Sequence, residues 1–215
     1  MAQLQITRFG GVEVLQLANQ EFTAPASGEV LLDVFYAAVN PVDAKTRAGL
    51  GWAAAQHKDN LPWTPGFDVC GLVQAVGSAV TDFAVGQRVC GMVFRGGAYA
   101  SQLLAVADDL LPVPEVISAE QAAALPLAGL TAWQGLFEHG QLQAGETVLI
   151  SAAAGGVGHI AVQLAKQAGA KVIASASASN HAFLRELGAD QVVDYHDSDA
   201  MAALKGQLDL VFDLV

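Results

Sequence analysis

Apolar residues follow two different patterns along this chain, and the change comes near residue 118. Up to about residue 115 they form short β-prone runs, at 4–9, 12–17, 29–40, 68–76, 88–93 and 102–107, each bounded by Gly, Pro, Asp or Ser. Turn signals such as Phe9-Gly10-Gly11-Val12 and Arg95-Gly96-Gly97-Ala98 separate several of them. This half is expected to be an irregular barrel or sandwich with short helices over 42–48 and 51–56. From Ser118 the pattern changes. Ser118-Ala119-Glu120-Gln121 reads as a capping box opening a short helix that ends at Pro126, and a second helix is expected from about 129 to 139. Strands at 147–151, 171–175, 191–194 and 208–213 then alternate with helices at 157–168, 180–187 and 198–204. That alternation implies a parallel, doubly wound α/β sheet, so the expected domains are 1–125 and 126–215. The run 208–215 has the character of a strand buried on both faces. Only about one and a half βαβ units precede the last residue, so the second domain reads as lacking its C-terminal half.

The connection between the first strand and first helix of that domain carries the most pointed chemistry. Ala153-Ala154-Gly155-Gly156-Val157-Gly158 is an A-x-G-x-x-G version of the dinucleotide-binding turn, with Ala153 in place of the first glycine. Gly155 would let the backbone approach a pyrophosphate, Gly158 would let the helix lie close on its strand, and the helix N-terminus would offer unpaired N–H groups to the anion. Ala154, Gly155, Gly156, Val157 and Gly158 are therefore the candidate pyrophosphate residues. A glycine-rich turn without a ligand is the alternative. The end of the second strand bears on which dinucleotide is bound. An Asp or Glu there would hold a ribose 2′-hydroxyl, but the first acid is Glu186, inside the next helix. Ser175, Ser177, Asn180, His181 and Tyr195 are the candidate donors to a 2′-phosphate, which favours NADPH over NADH. The serines could instead cap the helix that begins near Asn180.

Composition narrows the partners. Of 215 residues 53% are hydrophobic and 14% charged, enough apolar material for one ample core or two modest ones. The longest weakly polar stretch, 119–137, is broken by Glu120, Gln121, Pro126 and Gly129, a poor membrane span. The N-terminus lacks the basic start and apolar centre of a secretory signal, and a cytoplasmic location is the default expectation. Ten basic against 21 acidic residues give a net charge of −11, which disfavours nucleic acid and anionic membranes. Cys70 and Cys90 lie in apolar, strand-like segments and read as buried thiols; the five histidines are scattered, and no zinc site is expected.

An ordered set of motifs then resembles a known family. Asn40-Pro41-Val42-Asp43, Pro65-Gly66-Phe67-Asp68-Val69-Cys70-Gly71 and the run 76–89 resemble the catalytic domain of medium-chain dehydrogenases/reductases. Gly97-Ala98-Tyr99-Ala100, Ala122-Ala123-Ala124-Leu125-Pro126, Gly129-Leu130-Thr131-Ala132-Trp133 and the glycine turn continue the likeness in order. The resemblance implies a GroES-like β domain followed by a Rossmann domain, with the active site in the cleft between them. Zinc-dependent members carry a cysteine near the position of Asn40, a Gly-His-Glu near 66–68 and a four-cysteine lobe. Here stand Asn40 and Gly66-Phe67-Asp68, with no cysteine after Cys90. The chain is thus similar to the zinc-independent quinone oxidoreductase branch, in which a basic residue often stands where this chain has Asn180. That likeness implies hydride transfer to a quinone or an α,β-unsaturated carbonyl, whose own conjugation spreads the developing charge. The resemblance puts Asn40 and Thr131 at the nicotinamide and substrate, either able to donate a hydrogen bond to the reacting oxygen. Asn40 could equally just open an Asn-Pro turn, and Thr131 could bond its own helix. Asp43, Lys45 and Arg47 read as solvated charges, with contact to a substrate oxygen or a cofactor phosphate as the alternative for Arg47; Trp52, Trp63 and Phe67 read as core packing or a flat pocket wall, and Tyr99 as structural. A homodimer is common in the resembled family. Two other readings stand beside the enzyme: a non-catalytic NADPH-binding protein or redox sensor, and an N-terminal fragment of such a reductase.

Overall fold

The computed structural model describes residues 1–22 and 24–215. They divide into two compact units, Met1–Leu127 and Ala128–Val215. In the first, β1 (Ala2–Ile6) and β2 (Leu15–Asn19) pair antiparallel, Ile6 opposite Leu15. A five-stranded antiparallel sheet has the order β6-β3-β4-β5-β7, formed by β3 (Glu29–Ala38), β4 (Asp68–Val76), β5 (Arg88–Met92), β6 (Gln102–Val106) and β7 (Leu110–Pro112). Alternate residues of these strands, Val30 and Leu32, Val69 and Val73, Leu103 and Ala105, meet Val89 and Leu110 in one buried cluster. Helices α1 (Pro41–Arg47) and α2 (Gly51–His57) follow β3, and α3 (Ala119–Ala124) packs on β4. Its capping box forms, Ser118 Oγ accepting the Gln121 N–H.

Several boundaries differ from the sequence-based expectation. The run 12–17 begins as a 3₁₀ turn at Val12–Val14, because Glu13 Oε1 accepts the Gly11 N–H and closes the chain on itself before β2 starts. β7 was not expected at all: three residues ending in proline look like a loop, yet a proline is tolerated on an edge strand, where its missing N–H breaks no ladder. Trp63 and Phe67 are core residues, joined to Ile6 and Val14, whereas Trp52 is about half exposed. Cys70 stands opposite Cys90 across β4 and β5, and burial pushes the Cys70 thiol up to about 11.

The second unit begins in the first turn of α4 (Pro126–Trp133). This helix starts at Pro126 itself rather than near Gly129, since proline at a first helical position loses no hydrogen bond. It continues as a π-helical turn, Gln134–His139. Four parallel strands follow, β8 (Thr147–Ile150), β9 (Lys171–Ser175), β10 (Gln191–Val193) and β11 (Leu210–Phe212), in the order β10-β9-β8-β11. Counted along the chain that order is 3-2-1-4, the doubly wound arrangement for dinucleotide binding. Helices α5 (Gly158–Gln167), α6 (His181–Glu186) and α7 (Ser198–Ala203) make the crossovers. Val148, Ile150, Val172 and Ala174 face a core with Ala161, Val162, Ala165 and Leu184, while Leu149 and Ile173 face the opposite side with Val193 and Leu204. Both faces of the sheet are therefore covered. β11 departs from the expectation of a strand buried on both faces: Leu210 and Phe212 pack on the core, but Val211, which points to the opposite face, is about half exposed.

Candidate functional site

In the first unit the candidate site is a chain of polar groups around the half-buried Asn40, which stands at the N-cap of α1. Helix α1 leaves its first N–H groups without intrahelical partners, and Asp43, three residues into it, turns back so that Oδ2 accepts the Asn40 N–H at 2.7 Å. The same oxygen accepts the Tyr99 hydroxyl at 2.9 Å. Asn40 is held at its other end too: its Nδ2 donates to Asp68 Oδ2 at 2.8 Å. Asp68 Oδ1 accepts the Leu127 N–H at 2.8 Å, taking up one of the open donors in the first turn of α4. Asp68 is fully buried and Asp43 nearly so. Burial pushes the Asp68 carboxyl up to about 6 against the pull of its two donors, and the neighbouring Asp43 adds to the rise. Asp43 is also raised by burial, and the Tyr99 hydroxyl is pushed up by burial and by Asp43.

This corrects the expectation that Asp43 is a solvated charge. Lys45 is exposed, and Arg47 lies half-buried with Nε directed at Gly10 O. Tyr99, which reads as structural in the sequence, donates its hydroxyl to Asp43. Neither Asp43 nor Asp68 stood out as a functional residue in the sequence. The signal for Asp68 was an acid between Phe67 and Val69 in an apolar run, a position that requires partners.

In the second unit the glycine turn lies between β8 and α5. Gly155 N–H bonds Ala152 O at 2.8 Å, and His159 N–H bonds Gly155 O at 3.1 Å as the helix takes hold. Ala152 carries the tight bend at φ +43°, a left-handed conformation that Cβ disfavours. Gly158 is packed so closely that a Cβ would come within 2.5 Å of Ala152 O and 2.7 Å of Ala153 Cα. Gly156 is the opposite: exposed, with nothing within 4 Å of where a Cβ would stand. The turn thus presses on the helix at Gly158 and opens outward at Gly156, beside the N-terminus of a ten-residue helix. Such a cradle fits a phosphate group. Ala154 and Val157 are half-buried and pack on the core below it.

Beyond β9, Ser175 is buried at the strand end. Asn180 Nδ2 donates to Ser177 Oγ at 3.1 Å, Ser177 Oγ lies 3.2 Å from Ser179 Oγ, and His181 Nε2 lies 3.2 Å from Ala176 O. Ser175, Ser177, Asn180 and His181 therefore gather at the carboxyl end of β9, next to the glycine turn at the carboxyl end of β8. Tyr195 follows β10 at that edge of the sheet, exposed and against His196. Thr131 is exposed on α4. Among the described residues no group of three or more His, Cys, Asp or Glu side chains could hold a metal ion, and no helix is long and apolar enough to cross a membrane.

Comparison with known proteins matches residues 26–115 to the alcohol dehydrogenase GroES-like domain and residues 156–215 to the zinc-binding dehydrogenase family. The chain is 36% identical over 207 residues to the quinone oxidoreductase of Mus musculus, covering 95% of this chain and 61% of that protein. The solved quinone oxidoreductase from Coxiella burnetii superposes with a TM-score of 0.92 at 42% identity, over 100% of this chain and 68% of that one. The Escherichia coli quinone oxidoreductase complexed with NADPH superposes with a TM-score of 0.84 at 35% identity, over 95% and 62%. This chain therefore spans about three fifths to two thirds of the length of these relatives.

Proposed function

The chain belongs to the zinc-independent quinone oxidoreductase branch of the medium-chain dehydrogenases/reductases, and from that premise we propose that it is an NADPH-dependent reductase of quinones or α,β-unsaturated carbonyls. The observation that carries the reading is the open turn at Gly156, set against the N-terminus of α5 and next to the polar cluster after β9. When bound there, NADPH supplies the hydride. Backbone N–H groups of Ala154 and of residues 156–158 hold the pyrophosphate, while Gly155, whose N–H is taken by Ala152 O, serves by close approach, and no side chain at Gly155 or Gly156 keeps the anion away. Ser177, Asn180, His181 and Tyr195 form the end of the site that receives the 2′-phosphate, with Ser175 buried beneath them at the strand end and no carboxylate among them to repel it. Preference for NADPH over NADH rests on that missing carboxylate.

Asn40 and Thr131 are the proposed hydrogen-bond donors to the substrate oxygen, which gains charge as hydride arrives at a conjugated carbon. The conjugated substrate spreads that charge itself, so the chain's task is to orient the reactants and supply a donor. A homodimer and a cytoplasmic location complete the reading. The test is a fluorescence titration of the chain with NADPH and NADH, followed by addition of quinones and α,β-unsaturated ketones while NADPH absorbance is recorded. Tighter NADPH binding and substrate-dependent oxidation are expected. Binding without oxidation would reject the enzymatic part, and equal affinity for both cofactors would reject the 2′-phosphate assignment.

A further inference from the structure

Asp68 is an expensive group to keep. It is a fully buried carboxyl, no cationic side chain among the described residues bonds to it, and the titratable groups nearest it, Asp43 on α1, Cys90 on β5 and Tyr99, offer no positive charge. Both oxygens are already committed as acceptors, Oδ1 to the Leu127 N–H and Oδ2 to Asn40 Nδ2. An ionised carboxylate can only accept, and it therefore dictates which end of the Asn40 amide faces it. We propose that Asp68 is a positioning residue that sets the direction of the Asn40 amide, and that the amide turns when Asp68 takes up a proton.

The logic is one of donors and acceptors. Protonated, Asp68 carries an O–H that needs an acceptor in a buried site. Of the two groups bonded to it, the Leu127 N–H is a donor only, while Asn40 becomes an acceptor if its amide makes a half-turn about Cβ–Cγ and presents Oδ1. The backbone of Asn40 does not follow, because Asp43 Oδ2 holds its N–H from the other side and Tyr99 holds Asp43. The response is thus confined to one amide, whose N–H₂ and C=O exchange places. The two forms exchange within the working pH range, because burial brings the Asp68 carboxyl up to about 6. An asparagine at this position imitates the protonated form at every pH, having a permanent donor and acceptor of the same shape.

In its kinetic consequence the inference rests on the reductase reading, with Asn40 as a donor to the substrate oxygen; its structural core does not. The first experiment therefore needs no turnover: the two side-chain N–H resonances of Asn40, assigned in the ¹⁵N-labelled chain, are followed by NMR from pH 4.5 to 8. They are expected to shift with a midpoint near 6 in the wild type and to be invariant in Asp68→Asn. Resonances that do not move in the wild type would overturn the proposal, whatever the enzyme does, and so would a titration that persists in Asp68→Asn. The second experiment is the pH profile of quinone reduction. An acid limb near pH 6 in kcat, with KM little changed, should vanish in Asp68→Asn, which should stay low at all pH by on the order of 10²-fold, the usual loss for one misplaced transition-state donor. An Asp68→Asn variant that keeps the wild-type limb would overturn the positioning role. An amide that titrates in a chain with no turnover would uphold the positioning and reject only the reductase reading.

Discussion

The assignment of the glycine turn is most directly tested by Gly156→Asp. Gly156 is exposed, its φ is not left-handed, and nothing lies within 4 Å of a Cβ built there, so the fold gives no reason for the substitution to cost stability. Its neighbours are poor probes for the opposite reason: a Cβ at Gly158 would collide with the backbone of Ala152 and Ala153, and loss of binding there would mix steric damage with electrostatics. A carboxylate at 156 roughly 5 Å from a phosphate, at an effective dielectric near 20, is repelled by about 3 kcal/mol. That corresponds to a rise in Kd on the order of 10²-fold. Gly156→Ala, which adds bulk but no charge, should change Kd less than about threefold, since it meets open space. Kd for NADPH is read from the quenching of protein fluorescence, with the thermal midpoint of each variant as the control for folding. Part of the lost affinity should return between low and high salt, because an exposed charge is screened. A Gly156→Asp variant that melts like the wild type and binds NADPH equally well would refute the reasoning, since no pyrophosphate would then lie at this turn.

Individual residues carry further expectations. Ala152→Gly removes a Cβ from a left-handed position and, after the added chain entropy of glycine, should stabilise the protein by about 0.5–1 kcal/mol in urea denaturation; a destabilised variant would contradict the strain. Asp68 has its folded pKa raised from 3.8 to about 6, so the folded state holds that proton more tightly than the unfolded chain. The contribution is fully present below pH 3.8 and is lost as pH rises through 6, about 3 kcal/mol in all. Asp68→Asn should therefore be more stable than the wild type at pH 7–8, the gap closing towards pH 4; denaturant midpoints across that range decide it. Tyr99→Phe leaves the buried Asp43 Oδ2 with the Asn40 N–H alone and should cost about 1–3 kcal/mol of stability, measured by thermal unfolding.

What could be read along the chain was whatever depends on local pattern. The alternation of strand and helix after residue 146, the capping box at Ser118 and the glycine turn all arise from periodicity and backbone chemistry within a few residues, and the structure has them where they were expected. An element decided by pairing with a distant segment was missed: β7 exists because β5 offers it an edge. The strand at 208–213 was legible and is β11, but the half-exposure of Val211 on one of its faces was not. The site divides in the same way. Asn40 and the residues of the glycine turn announce themselves by motif, but what holds Asn40 does not: Asp68 is 28 residues away and Tyr99 reaches Asp43 across 56. An acid in a sequence carries no mark of whether it is solvated or buried, which is why Asp43 reads as a surface charge on a short helix and is in fact enclosed. Chain composition determined which groups were available as donors and acceptors; only the tertiary structure, by removing water from around Asp43 and Asp68, made their hydrogen bonds obligatory and their ionisation consequential.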